Sequence, residues 1–110
     1  MDKNQALAAF AALSQETRLD ALRLLVAAGP KGLAAGEIAE RLGVRQNTMS
    51  ANLAILDRAG LVTSRREGRS VRYFASLESL RDVVGFLMED CCGGRPELCA
   101  PLLDEVLGAA

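Results

Sequence analysis

Three cysteines near the end of the chain carry the most distinctive chemistry in the sequence. Cys91, Cys92 and Cys99 stand in the run EDCCGGRPELC, and the chain contains no histidine. Adjacent residues of an α-helix diverge by about 100°, so the neighbouring pair can face one ion only where a helix ends, as the glycines at 93 and 94 favour. The loop through Pro96 can then carry the third thiol back towards the pair.

The type of ligand limits which ions such a cluster would bind. Three soft thiolates without an imidazole suit three-coordinate As(III) or Sb(III) better than tetrahedral zinc. The alternatives are zinc with a carboxylate as fourth ligand, a redox pair such as Cys92 with Cys99, and three unconnected thiols. The residues therefore favour As(III) as the bound species, with Cys91, Cys92 and Cys99 as ligands and no organic cofactor.

The stretch from Glu37 to Leu61, EIAERLGVRQNTMSANLAILDRAGL, has the spacing of two short helices that cross at a tight turn. Gly43 suits a turn that needs a positive φ, small Ala39 stands four residues before it and apolar Met49 stands six after it. This spacing predicts a helix-turn-helix whose second helix ends at Gly60. An ordinary helical hairpin with a solvated polar face is the alternative.

The outward face of the second predicted helix is polar. Short hydrogen-bonding side chains of this kind suit base edges or phosphates in a DNA groove. The candidate DNA-contacting residues on this helix are Arg45, Gln46, Asn47, Thr48, Ser50 and Ala51.

A β-hairpin is predicted directly after the helix-turn-helix. Two β-compatible runs, Val62 to Arg66 and Ser70 to Ala75, are joined by three residues with Gly68 in the turn. Arginines cluster at the tip of this wing, where guanidinium groups can bind phosphates or enter a minor groove. The candidate contacts in the wing are Arg65, Arg66, Arg69 and Arg72. The alternative is an exposed hairpin kept soluble by its charge.

The distribution of charge favours a nucleic-acid partner although the total does not. The formal net charge is −1, but residues 41–73 carry a net +5 and residues 74–110 a net −5. The basic segment coincides with the predicted helix-turn-helix and wing, which is the footprint expected for double-stranded DNA.

Helical periodicity predicts further elements around these groups. The helices cover residues 6–13, Gln15 to Ala28, and Leu77 to about Asp90, and a short amphipathic segment follows Pro101. The core stripe predicted for the second helix is Leu19, Leu22, Leu25 and Val26. The helix from Leu77 has a wider apolar stripe than a peripheral helix needs, which suggests packing against a second copy of the chain. The residues expected in this homodimer interface are Leu7, Phe10, Leu80, Val83, Val84 and Leu87.

These features predict a single domain over residues 1–110, mainly α with a small β-hairpin, that forms a winged helix-turn-helix homodimer. No stretch is long and apolar enough to cross a membrane, and the start MDKNQ lacks the features of a signal peptide, so we expect a cytoplasmic protein. With no histidine base and no phosphate-binding glycine loop, we do not expect an enzyme.

The order of these elements resembles the ArsR-type family of bacterial winged-helix metalloregulators. The run TMSANLAILDRAGLVTSRREGRSVRYF, Thr48 to Phe74, resembles that family's recognition helix and wing, and LSQETRLDALRLL, Leu13 to Leu25, resembles its second-helix segment. The resemblance covers about residues 4–90, and residues 91–110 form a cysteine-bearing segment for the inducer. In the recognition helix, Ala51 and Asn52 depart from the family, which often has polar or histidine residues there.

The resemblance implies a dimeric repressor of a metalloid-resistance operon that covers an inverted-repeat operator in double-stranded DNA. The three cysteines resemble the C-terminal arrangement of the arsenite-responsive members, so As(III) or Sb(III) would release it. A thiol-based redox or persulfide sensor of the same fold is the alternative.

Overall fold

The computed structural model describes residues 1–89, 100, 101 and 105 of the chain. In chain order the elements are α1 (Lys3–Leu13), α2 (Glu16–Ala28), β1 (Leu33–Ala34), α3 (Ala35–Leu42), α4 (Gln46–Arg58), β2 (Val62–Glu67), β3 (Ser70–Ala75) and α5 (Leu77–Leu87). A 3₁₀ turn at Gly29–Lys31 connects α2 to β1. This is a winged helix-turn-helix, mainly helical with a small sheet, and it confirms the predicted fold class.

The first helix begins earlier than predicted because its start is capped. The Gln5 amide donates to Asp2 Oδ1 at 2.7 Å, and the Asp2 amide donates to Gln5 Oε1 at 2.8 Å. Such a capping box satisfies two amides that an uncapped first turn leaves unpaired. The start of α3 also precedes the predicted one, and there Glu37 Oε1 accepts from the Ala34 amide at 3.0 Å.

The turn between α3 and α4 has the geometry that Gly43 predicts. Gly43 is left-handed, with φ 65° and ψ 33°, and its amide donates to the carbonyls of Ala39 and Glu40. The Val44 amide also donates to the Ala39 carbonyl, at 3.0 Å. Ala39 is only 4% exposed, so the two helices approach closely at this residue. The predicted helix-turn-helix is therefore confirmed.

The sheet contains a third strand that the sequence does not predict. Its order is β1-β3-β2, all antiparallel, and the two residues of β1 pair with Tyr73 and Arg72. A strand of two residues is too short for an alternating pattern to reveal it. Gly32, just before it, has φ +64°, and a Cβ there would lie 2.5 Å from the Tyr73 carbonyl oxygen. Glycine thus lets β1 lie against β3, which attaches the base of the wing to the helix-turn-helix.

The core lies between α2, the helix-turn-helix and the base of the wing. Its largest fully buried side chains are Leu25, Ile38, Met49, Leu53, Leu56, Leu61 and Val62. The predicted stripe of α2 is partly wrong, because Leu19 and Val26 are 43% and 44% exposed. The buried face of α2 is centred on Ala21 and Leu25, and at about 100° per residue Leu19 and Val26 point away from it. Within the described part of the chain, no helix is long and apolar enough to span a membrane.

Candidate nucleic-acid interface

The polar face of α4 is open to solvent because the apolar residues of this helix are used on its other side. Met49, Leu53 and Leu56 are fully buried. The predicted contact residues of this helix, Arg45, Gln46, Asn47, Thr48, Ser50 and Ala51, are all exposed. A helix with one face anchored and the other polar can enter the major groove, where such side chains reach base edges.

One polar residue of α4 turns towards the protein instead. Asn52 is partly buried, and its Oδ1 accepts from Arg18 Nη1 at 3.1 Å. Asn52, where the sequence departs from the family pattern, therefore contacts Arg18 within the protein. Sequence reasoning missed Arg18, because the two residues stand 34 positions apart and no spacing rule connects them.

The wing presents three arginines to solvent. Arg66 and Arg69 are exposed and take part in no salt bridge with any described residue. Arg65 is held more firmly, since its Nη2 lies 2.9 Å from Glu67 Oε2 and its guanidinium carbon lies 5.2 Å from the centre of the Phe74 ring. Its side chain is still 64% exposed. All three can therefore meet a phosphate backbone without breaking the fold.

Arg72, the fourth predicted contact, is occupied within the protein. Its Nε donates to Glu67 Oε1 at 3.0 Å, and its Nη1 donates to the carbonyls of Lys31 at 3.2 Å and Gly32 at 3.3 Å. Its Nη2 also lies 3.8 Å from Glu37 Oε1. These contacts join the wing to the link before β1 and to the start of α3. Arg72 therefore braces the wing with most of its donors, and its contact with DNA stays a prediction that its alanine variant tests.

Glu67 lies between two arginines that face each other across the wing. The register places Arg65 directly opposite Arg72, and two like charges in that position repel. Hydrogen bonds from Arg72 and then from Arg65 hold the pKa of Glu67 below its ordinary value of 4.5. The carboxylate is therefore ionised at neutral pH and offsets part of the charge of the wing.

A cleft of about 230 Å³ separates the start of α4 from the wing. Gln46 and Ser50 line it from the helix, and Arg69 and Tyr73 line it from the wing. Burial, and secondly the negative charge of Asp57, raise the pKa of the Tyr73 phenol above its ordinary value of 10.0. The phenol is therefore neutral at physiological pH. The fold brings predicted contact residues of both elements to one place, where they can follow a single stretch of DNA backbone.

The predicted dimer residues divide into two groups. Leu7 and Phe10 on α1 are 57% and 38% exposed, and Val84 and Leu87 on α5 are 40% and 59% exposed. Val83 is only 7% exposed and belongs to the core of its own protomer, and Leu80 packs against that core. The apolar surface open to a second copy is therefore narrower than predicted, because α5 also needs an inward face to hold it on the domain.

The predicted ligands Cys91, Cys92 and Cys99 lie outside the described residues. Among residues 1–89, 100, 101 and 105, no group of three or more Cys, Asp or Glu side chains could hold a metal ion. The cysteine site therefore stays a prediction from the sequence.

Comparison with known proteins places the interface in a set of related regulators. The model of a helix-turn-helix domain family matches residues 13–65, which run from α2 into the wing. The chain is 34% identical over 94 residues to the transcriptional activator HlyU of Vibrio cholerae, and the match covers 84% of each protein. A solved structure of HlyU has a TM-score of 0.64 at 33% identity and covers 84% of this chain and 99% of that chain. A structure of reduced HlyU has a TM-score of 0.63 at 31% identity, with coverage of 81% and 90%.

Two further solved structures share the fold. An ArsR-like transcriptional regulator from Rhodococcus sp. RHA1 has a TM-score of 0.70 at 29% identity and covers 94% of this chain and 93% of that chain. A homodimeric winged helix-turn-helix DNA-binding domain from Mycobacterium bovis has a TM-score of 0.61 at 33% identity, with coverage of 77% and 83%. The elements that carry the polar face and the wing are thus those of DNA-binding regulators.

Proposed function

Because this chain belongs to the ArsR family of winged-helix transcriptional regulators, we propose that it is a homodimeric repressor that leaves its operator when As(III) or Sb(III) binds Cys91, Cys92 and Cys99. It is a transcriptional regulator with a DNA-binding helix-turn-helix, not an enzyme. The observation that carries the DNA-binding part of the proposal is the exposed polar face of α4 beside an arginine wing, anchored by the buried face of the same helix.

The dimer follows from the apolar side chains that the protomer leaves exposed. Leu7, Phe10, Val84 and Leu87 lie on α1 and α5, which pack against each other. The similar domain from Mycobacterium bovis is homodimeric. Two copies joined there would present two recognition helices, and an inverted-repeat operator requires them about 34–36 Å apart.

The position of the cysteines directly after α5 in the sequence supports release by the inducer. Cys91 and Cys92 begin four residues after the last residue of this dimer helix, Leu87. Drawing them together with Cys99 around one ion would shift the end of α5 and with it the angle between the subunits. A coupling free energy of about 1–3 kcal/mol, or about 5–150-fold in DNA affinity, is typical of such a mechanism.

The test is a titration of DNA release. The operator is first recovered by selection from a pool of random duplexes with the wild-type protein, and its affinity is then measured with and without arsenite or antimonite. Arsenite should weaken binding of the wild type, whereas Cys92→Ser should bind DNA normally and no longer respond. Unchanged affinity of the wild type with arsenic demonstrably bound would refute this mechanism.

A second candidate is a thiol-based redox regulator of the same fold. The observation that favours it is the match to a structure of HlyU in reduced form, together with the three cysteines of this chain. In that case an oxidant would release the DNA, a reductant would restore binding, and arsenite would have little effect. Because HlyU is named an activator, a reporter assay is also needed to establish the direction of regulation.

A further inference from the structure

We propose that Arg18 is a positioning residue that couples the end of α1 to the recognition helix α4 through Asn52. The inference deepens the proposed function and rests on it, since α1 carries Leu7 and Phe10 of the proposed dimer surface. It gives a route by which a change at the dimer interface reaches the DNA-contacting face.

One guanidinium group joins three helices. Arg18 lies in the first turn of α2. Its Nε donates to the carbonyl of Ala12 in the last turn of α1 at 2.6 Å, and its Nη1 donates to Asn52 Oδ1 on α4 at 3.1 Å. Both bonds are partly buried, so water competes with them less than at an open surface.

The end of α1 needs this partner. The last four carbonyls of a helix have no intrahelical amide, and a cation placed there also interacts favourably with the helix dipole. The amide and the hydroxyl of Ser14 both donate a hydrogen bond to the Ala11 carbonyl. The Arg18 side chain donates to the Ala12 carbonyl. The Arg18 amide donates to Gln15 Oε1 at 2.8 Å, which holds the residue in place.

The geometry of arginine makes the connection rigid. The donors of a guanidinium lie in one plane at fixed angles, so an acceptor on Nε and an acceptor on Nη1 cannot move independently. One planar group therefore adds a directional restraint to the packing of α1 against α4. A lysine has a single ammonium and cannot define both positions at once.

Asn52 is placed where this connection matters for DNA. It lies one turn after Thr48 on the same side of α4, between the buried face that holds Met49 and Leu53 and the exposed polar face. The core restrains the helix from one side and Arg18 from the flank. The bond at Asn52 therefore adds a restraint on rotation of α4 about its axis to the restraint that the core supplies.

The experiment is a double-mutant cycle with Arg18→Lys and Asn52→Ala, measured on the selected operator and on unrelated duplex DNA. Each single variant should lose about 5-fold or more in operator affinity. The double variant should bind the operator no more weakly than the single variant that has lost more affinity. Affinity for unrelated DNA and the dependence on salt should stay the same, because no phosphate contact is removed. Arg23→Lys, at an exposed arginine of the same helix, is the matched control and should behave as the wild type.

Additive losses would overturn the proposal, since they would mean that Asn52 acts on DNA independently of Arg18. A reduced salt slope would overturn it too, since Arg18 or Asn52 would then be near a phosphate. Hydrogen exchange of the DNA-free protein tests the coupling between α1 and α4 without DNA. Arg18→Lys should raise the exchange rates of amides in α4 as well as at the end of α1. Faster exchange confined to α1 and α2 would refute the coupling. A wild type that selects no DNA sequence would refute the proposed function, and the exchange experiment would still decide the role of Arg18.

Discussion

Replacing Arg72 by alanine should destabilise the domain while leaving the number of DNA phosphate contacts unchanged. The change removes the donors that connect the wing to the carbonyls of Lys31 and Gly32 and to the carboxylate of Glu67. It also leaves Glu67 with one arginine partner in place of two. The base of the wing then depends on the short pairing between β1 and β3.

The expected magnitude comes from the two carbonyls. Arg72 has a side chain that is only 24% exposed, and the Gly32 bond is partly buried. A charged donor shared between two such acceptors contributes about 1–2 kcal/mol to the free energy of unfolding. For a domain of 110 residues this corresponds to a melting temperature lower by about 4–8 °C.

The assay compares Arg72→Ala with Arg69→Ala, an exposed arginine of the same wing. Thermal unfolding should show the loss for Arg72→Ala and no more than about 2 °C of change for Arg69→Ala. In DNA titrations at several salt concentrations, Arg69→Ala should reduce the slope of log affinity against log salt by about 0.9, and Arg72→Ala should not. If Arg72→Ala kept the wild-type melting temperature and lowered the salt slope instead, Arg72 would be a DNA contact and our reading of its bonds would be wrong.

Three further predictions concern the sheet, the phenol and the dimer. Gly32→Ala should lower the free energy of unfolding by about 2 kcal/mol more than Gly29→Ala does. Both glycines have φ +64°, but only at Gly32 do backbone and ring atoms occupy the place where a Cβ would lie. Equal losses for the two variants in chemical denaturation would contradict this. Tyr73 is the single tyrosine, and its raised pKa means that the folded state holds the phenol proton more tightly than the unfolded chain, so stability should fall as the pH rises above 10.0. The ultraviolet absorbance of the phenolate follows this titration directly, and Tyr73→Phe should lack that part of the pH dependence. Leu87→Glu should produce monomers in sedimentation velocity, whereas Leu77→Glu, at the other end of α5 and equally exposed at 59%, should stay dimeric; a dimeric Leu87→Glu would exclude this surface.

Local signals explain the parts of the fold that could be predicted. Gly43 and Gly68 both have positive φ in the structure. Glycine adopts positive φ without steric cost, so its place between two predicted elements indicates a tight turn. The predicted contact residues on α4 and its N-cap Arg45 are all exposed, because helical periodicity separates those on the helix from Met49 and Leu53. The strand β1 and the orientation of α2 escaped prediction, since both depend on which element lies opposite. The cysteine site stays a prediction that rests on ligand chemistry and on the resemblance to arsenite-responsive members of the family.

The sequence by itself determined that a polar recognition face and a basic wing follow each other, because turns, helix faces and local charge depend on neighbours in the chain. It did not distinguish Arg72 from Arg69, which look alike at the wing tip. Only the tertiary structure decided that Arg72 braces the wing and that Arg18 holds Asn52. The role of a guanidinium depends on the acceptors within hydrogen-bonding distance, and the acceptors of these two arginines include groups 34 and 41 positions away that only folding brings close.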